Sequence, residues 1–209
     1  PPARERELLQ RAVGGACTGQ AGVDLGRAAL AHLQSTRGRA AALAMVEATL
    51  TAHAAAPWLW IERARLLTAL REDRRGLEDA RRMLSYVDDP QLVLEFTVLA
   101  AEQRALVPTD YDRLQQQPPA VLQTPLGTYA RGLCALRRGD GDRAETLLAA
   151  APARPDGFHL YARALANLMR RAPDARARAR ELFEQLAQRY PSSSPAQNAG
   201  SFALQLSPN

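Results

Sequence analysis

The side chains best suited to chemistry in this sequence are three histidines, two cysteines and several paired carboxylates. His32, His53 and His159 lie far apart and lack the close spacing of a metal-binding pair. We therefore predict no metal site and expect these histidines at the surface or partly buried. Cys17 and Cys134 form no C-x-x-C pair, so either they pair as a disulfide or both are buried small residues. An apolar helical pattern around Cys134 favours burial there.

The segment "RRGDGDRAETL", residues 137–147, has two aspartates at a spacing found in calcium-binding loops. Such a loop needs about six oxygen ligands, yet the two residues after Asp142 are an arginine and an alanine. An Arg-Gly-Asp adhesion tripeptide would need a flexible loop, whereas this one lies between two short predicted helices. We interpret it as a turn in which Gly139 ends one helix and Asp140 or Asp142 caps the next.

Nucleotide-binding and hydrolase motifs are absent from the sequence. It contains no Walker-type phosphate loop, no Gly-x-Gly-x-x-Gly after a strand and no Gly-x-Ser-x-Gly elbow. Paired acids such as Glu72 and Asp73 begin predicted helices, where carboxylates interact favourably with the helix dipole. We therefore predict that the chain is not an enzyme, that no residue is catalytic and that no cofactor is bound.

Alanine and leucine dominate the hydrophobic residues, which make up 46% of the chain. Both are strong helix formers, so the composition predicts an all-α fold. All 27 basic residues are arginine, a usage typical of a GC-rich genome. The net charge of +5 is modest and the acids are interspersed, which makes nucleic acid an unfavoured partner. No apolar stretch approaches the length of a membrane span, so membrane association would come through parts outside this chain.

Helical periodicity, interrupted by Pro, Gly or Asp, predicts helices along the whole chain. The predicted helices span residues 3–14, 23–35, 38–54, 57–71, 73–87, 90–105, 108–116, 124–138, 141–150, 157–171, 174–190 and 194–206. Residues 58–90, 126–156 and 158–191 each hold an apolar stripe, a turn and a second stripe. In the first of these segments Trp60, Ala64 and Leu67 lie on one stripe.

The paired helices resemble tetratricopeptide repeats (TPR), which are helix–turn–helix units of 34 residues. The segment "ARELFEQLAQRYP" has small, aromatic, apolar and proline residues at the matching positions of a second helix, namely Ala179, Phe183, Leu186 and Pro191. The segment "GLCALRRGDGDRAETLLAAAPARPD" also matches, through Gly132, Ala144, Leu148, Ala151 and Asp156. Residues 58–90 match loosely, residues 22–57 fit only a generic helical hairpin, and residues 90–123 depart from the pattern.

The resemblance implies an all-α, right-handed superhelical stack of helix–turn–helix hairpins, a TPR-like α-solenoid. We expect a single domain over residues 1–209, with an irregular middle at about 90–123. A capping helix at about 194–206, with Ser194 as its N-cap, would close the array. Small residues are predicted where helices approach closely, at Ala64, Gly132, Ala144 and Ala179. Because the chain begins with two prolines and no methionine, we take it as a fragment of a larger protein.

In such arrays the first helix of each pair lines a concave groove. The resemblance therefore places six partner-binding positions there: Trp58, Ile61, Arg65, Tyr129, Leu133 and Arg137. This mixture of aromatic, aliphatic and arginine side chains is typical of peptide-binding surfaces. It differs from the Lys/Asn clamp of TPR proteins that bind chaperone tails.

We therefore expect a non-catalytic protein–protein interaction scaffold with a protein or peptide partner in the concave groove. The segment "QRYPSSSPAQNAGSFALQL" resembles segments of TPR-like bacterial envelope proteins. It favours a periplasmic or membrane-associated soluble domain of an envelope assembly, polysaccharide-export or secretion system over a cytoplasmic protein. One alternative is a helical accessory domain of a larger envelope enzyme. Another is a nucleic-acid-binding helical repeat, whose affinity for oligonucleotides would depend strongly on salt.

Charge reversal at Arg65 and Arg137 tests the groove assignment. Partner capture should weaken while the helical circular dichroism and the melting temperature stay nearly unchanged, because groove side chains contact the partner. Affinity capture from the native organism with mass spectrometry measures the first effect. Unfolding of both variants would show that these residues are structural and that the groove assignment is wrong.

Overall fold

The computed structural model describes residues 4, 7, 10, 11, 13, 14, 20–70, 75–154, 156–193, 195–197, 199 and 202. All regular secondary structure in these residues is helical, which confirms the predicted all-α class. The eleven helices with described bounds are α1 Gln20–Arg37, α2 Arg39–Ala52, α3 Pro57–Ala69, α4 Arg75–Leu84, α5 Pro90–Glu102, α6 Pro108–Gln115, α7 Pro119–Leu122, α8 Pro125–Arg137, α9 Gly141–Ala150, α10 Phe158–Met169 and α11 Ala175–Arg189. Over the same residues, no helix combines the length and apolar character needed to cross a bilayer.

Some predicted features fall on residues that lie outside this description. They include Cys17, the proposed N-cap Ser194 and half of the residues of the predicted helix over 3–14. Five positions of the predicted capping helix are described and all are helical, at residues 195–197, 199 and 202.

The chain divides into two compact units, Pro1–Phe96 and Thr97–Asn209, where the sequence predicts one domain. In the first unit α1 packs on α2, α2 on α3, and α3 on α4. The α3–α4 contact is close at Gly76, where an added β-carbon would lie 3.0 Å from Cα of Ala64 and 2.8 Å from Cδ1 of Leu67. Gly76 thus supplies the small residue that this helix crossing requires.

An ion-pair network joins α1, α3 and α5 within the first unit. Arg27 donates from both terminal nitrogens to the carboxylate of Glu95, and its Nε lies 3.2 Å from Oε1 of Glu62. Arg65 donates to the same oxygen of Glu62 at 3.0 Å. Burial raises the pKa of Glu62, although the charges of Arg65 and Arg27 act against this rise. Burial also opposes the charge of Arg27, but Glu95 and Glu62 outweigh it and raise the pKa of that guanidinium.

In the second unit, helices α7 to α11 pack in consecutive order, and α8 also contacts α10. Gly132 of α8 lies directly against α9, because an added β-carbon there would lie 2.8 Å from Cγ of Leu148. Ala144 and Ala179 are fully buried. The predicted small positions of this unit therefore lie at helix contacts.

Residues 90–123, whose sequence departs from the repeat pattern, contain the helices α5, α6 and α7. Pro90, Pro108 and Pro119 each occupy the first position of one of these helices. A helix tolerates proline at this position, since its first amides have no intrahelical acceptor. The buried carboxylate of Asp110 accepts from the backbone N–H of Val107 at 3.1 Å and completes the start of α6.

The turn between α8 and α9 agrees with the interpretation of "RRGDGD" as a helix connection. Gly139 has a φ of +80°, a conformation that favours glycine. Asp140 is the N-cap of α9, and its side chain accepts from the backbone N–H of Arg143 at 3.1 Å. Asp142 instead pairs with Arg170, the C-cap of α10, at 2.9 Å. Of the two candidate caps, Asp140 is therefore the one used.

Replacing Arg27 by methionine should lower the free energy of unfolding of the first unit by about 2–4 kcal/mol. The substitution keeps an apolar stem but leaves Glu62 and Glu95, both nearly buried, without their shared cation. Urea unfolding at pH 7 followed by tryptophan fluorescence reports this unit, since Trp58 and Trp60 both lie in α3.

The exposed Arg82→Met is the matched control and should change the free energy by under about 0.5 kcal/mol. Equal stability of the two variants would show that the network around Arg27 does not support the fold.

Candidate functional site

A pocket of about 630 Å³ lies in the second unit, between α6, α7, α8 and the start of α9. Its apolar lining includes Leu114 of α6, Pro119 and Leu122 of α7, and Ala135 of α8. Tyr111 adds an aromatic ring from α6. The pocket therefore lies between α6 and α7, whose sequences depart from the repeat pattern, and α8, whose sequence matches it.

Gly127 allows α7 to lie close to α8, where α7 forms one side of the pocket. An added β-carbon at this residue would lie 2.3 Å from the carbonyl oxygen of Val121 and 2.8 Å from backbone atoms of Leu122. The backbones of α7 and α8 can approach this closely only because residue 127 has no side chain. Thr124, the N-cap of α8, accepts from the N–H of Gly127 at 3.1 Å and holds the same junction.

Three arginines contribute the charge of the pocket lining, namely Arg131, Arg138 and Arg143. Within the described part of the chain, none of them forms an ion pair with an acidic side chain. The guanidinium of Arg138 lies over the ring of Tyr111, 4.3 Å from its centroid. The acid in the lining, Asp140, is engaged as the N-cap of α9. The pocket is thus a positively charged cleft with an apolar interior.

The buried Cys134 also lines the pocket and is a free thiol. Burial raises its pKa to about 12, although the nearby charge of Arg138 acts in the opposite direction. Burial likewise raises the pKa of Tyr111. Both groups are therefore protonated at neutral pH, and the thiol is a poor nucleophile.

Four of the six predicted groove residues lie in the interior of their units. Trp58, Ile61, Tyr129 and Leu133 are at most 3% exposed. A buried side chain offers no surface to a partner, so these four residues act in helix packing. Trp60, which the sequence pattern assigns to the core stripe, is only partly buried, and its Nε1 donates to the carbonyl of Ala54 at 2.9 Å.

The two predicted groove arginines have protein partners. Arg65 exposes about half of its side chain and pairs with Glu62. Arg137 donates from Nε to the carbonyl oxygen of Ala101 at 2.8 Å, and burial lowers its pKa. Part of any stability lost on reversing the charge of Arg137 is therefore expected from this contact within the fold. The partner-binding role of both residues stays a prediction.

His159, expected at or near the surface, is buried in the second unit. Its Nε2 donates to the carbonyl oxygen of Leu148 at 2.6 Å, since a carbonyl can only accept. Its Nδ1 is buried without a partner among the described residues, and burial lowers the pKa of the ring. His159 therefore links α10 to α9 as a neutral side chain. His32 and His53 are exposed, and the described residues contain no cluster of three potential metal ligands.

The sequence reasoning did not single out Arg131, Arg138 or Arg143. The residues that flank these three arginines in the sequence resemble those that flank many other arginines of the chain. Only the folded structure shows which arginines have acids nearby. The available signal was the failure of the repeat pattern over residues 90–123. Helices α6 and α7 of this segment line the pocket.

The raised pKa of Cys134 predicts slow alkylation by iodoacetamide. In a Cys17→Ser background, the rate should be low at pH 8 and should rise about tenfold per pH unit between pH 7 and 10, because only the thiolate reacts. Mass spectrometry of quenched samples measures the rate. The urea-unfolded chain is the control and should react fast, with a thiol pKa near 8.5. A plateau below pH 10 in the folded protein would contradict the burial of this thiol.

Comparisons with known proteins add no family to this geometry. No protein-family model, no curated protein and no solved structure matches the chain. The functional assignment below therefore depends on the pocket and its charges.

Proposed function

We propose that the chain is a non-catalytic interaction scaffold that binds an acidic segment of a protein partner in the arginine-lined pocket. The observation that carries this proposal is the grouping of three arginines around an apolar cleft of about 630 Å³. These arginines, Arg131, Arg138 and Arg143, have no ion-pair partner among the described residues. Guanidinium groups form strong two-point hydrogen bonds with carboxylates. An acidic partner would supply the negative charge that the lining lacks.

Several arginines elsewhere in the chain form ion pairs within the fold. Arg63 bridges Glu47 and Asp79, and Arg163 forms a pair with Glu145. Such pairs reduce the positive potential of the helix surfaces and leave a nucleic acid few free cations on those faces. A pocket whose arginines lack acidic partners among the described residues differs from these surfaces and favours a specific anionic partner.

The scaffold role also fits a TPR-like array, which we propose for the hairpins within each unit. Consecutive packing of α8 to α11, with α8 also contacting α10, supports this view. The buried small residues Gly132, Ala144 and Ala179 support it as well. The proposal moves the main binding surface from the predicted groove residues, most of which are buried, to the pocket beside α8.

Charge reversal in the pocket tests the proposed function. The double variant Arg131→Glu/Arg143→Glu should lose a partner that the unaltered chain captures from the native organism, and should bind the purified partner at least about tenfold more weakly. The control Arg176→Glu/Arg189→Glu makes the same change in net charge on α11, at two exposed positions outside the pocket.

Helical circular dichroism and melting temperature confirm that each variant is folded. Full partner binding by the pocket variant would contradict the proposed site. Equal loss in the two double variants would show that net charge, rather than the pocket, determines binding.

A further inference from the structure

We infer that the occupant of this pocket is a short acidic peptide segment with one bulky apolar side chain, which enters the cleft while flanking carboxylates bind the arginines. The inference rests on the proposed function and names the chemistry of the partner's segment. Three features of the lining carry it: the apolar volume, the arrangement of the arginines and the side-chain amides at the rim.

The pocket is larger than a bare anion requires. A volume of about 630 Å³ is typical of sites that enclose an organic group. Leu114, Pro119 and Leu122 line it from α6 and α7. An inorganic phosphate would leave these surfaces in contact with water, whereas a phenylalanine or leucine side chain would cover them.

The arginines lie where they can bind carboxylates beside such an anchor. Arg131 and Arg143 lie on different helices, α8 and α9, and both line the cleft. The stacking of Arg138 on Tyr111 occupies a face of the guanidinium, while its N–H groups point along the plane and stay able to donate. Carboxylates before and after the apolar residue of a peptide can therefore reach separate arginines.

The glutamines of the lining distinguish a peptide from a simple anion. Gln115 and Gln123 are exposed, and within the described residues their side-chain amides have no partner. Each amide offers a donor and an acceptor, which complement the N–H and C=O groups of an extended peptide backbone. A carboxylate ion alone offers only acceptors, so it would leave the glutamine carbonyl oxygens unused.

Fluorescence anisotropy with a defined peptide tests the inference on the full chain. The probe is a fluorescein-labelled, C-terminally amidated Glu-Glu-Phe-Glu-Glu peptide at about 50 mM salt, where screening is weak. We expect a Kd of about 100 µM or tighter. Replacing the peptide's phenylalanine by serine, or its glutamates by glutamines, should each weaken binding at least about tenfold.

Two protein variants with matched controls locate the peptide. Arg131→Gln/Arg143→Gln removes two charges without introducing new ones and should weaken binding at least about tenfold, whereas Arg176→Gln/Arg189→Gln should not. Gln115→Trp places a large side chain at the exposed rim and should block the cleft, whereas Gln188→Trp on α11 should bind normally. Because residues 115 and 188 are both exposed, these variants are expected to keep the fold.

Three results would overturn the inference. The first is equal binding of the phenylalanine and serine peptides, and the second is displacement of the probe by inorganic phosphate at the peptide's own concentration; either would reveal a small-anion site. The third is the absence of peptide binding at about 1 mM. In that case the proposed function still stands if capture of the native partner depends on Arg131 and Arg143, and it fails together with the inference if capture is independent of them.

Discussion

The close approach of neighbouring helices at glycine and alanine is the constraint on which the rest of this structure depends. Helices of 4 to 18 residues are marginal in water by themselves, so each must cover its apolar face with a neighbour. Gly132 brings α8 against α9, and Gly127 brings α7 against α8. These three helices line the pocket together with α6, so the two contacts set the positions of three of its walls. A larger residue at either position would move a wall of the site as well as disturb the packing.

The arginines act in three different ways, which depend on their burial and on whether an acid lies nearby. Exposed pairs such as Arg178 with Glu181 contribute at most about 1 kcal/mol each, because water screens them and long side chains lose entropy. Arg27 is different, since the two carboxylates that it joins are less than 10% exposed. Around the pocket a third situation holds: arginines partly or fully exposed to water have no acidic partner within the described residues. Because water solvates these guanidinium groups, leaving them unpaired costs little free energy. The fold is therefore stable with them but does not need them.

Much of the helical framework could be predicted from the sequence because its signals are local. Proline at first helical positions, Gly139 in a left-handed conformation and Asp140 as an N-cap all act within a few residues. The buried faces were harder to predict. Helix α3 is apolar on most sides, so a period of 3.6 residues cannot decide between the stripe of Trp58 and that of Trp60. Packing against the neighbouring helices determines which face of α3 is buried, and that face carries Trp58.

The pocket could not be predicted because it depends on which charges find partners across long sequence separations. Arg27 and Glu95 are 68 residues apart, and Arg163 lies 18 residues from Glu145. Because every basic residue in this chain is arginine, the sequence does not show which of them form ion pairs. Packing alone does not account for three arginines gathered at one apolar cleft, because neutral side chains would pack there equally well. We therefore propose that the charge around the cleft serves the binding of an anionic partner rather than the stability of the helices that form it.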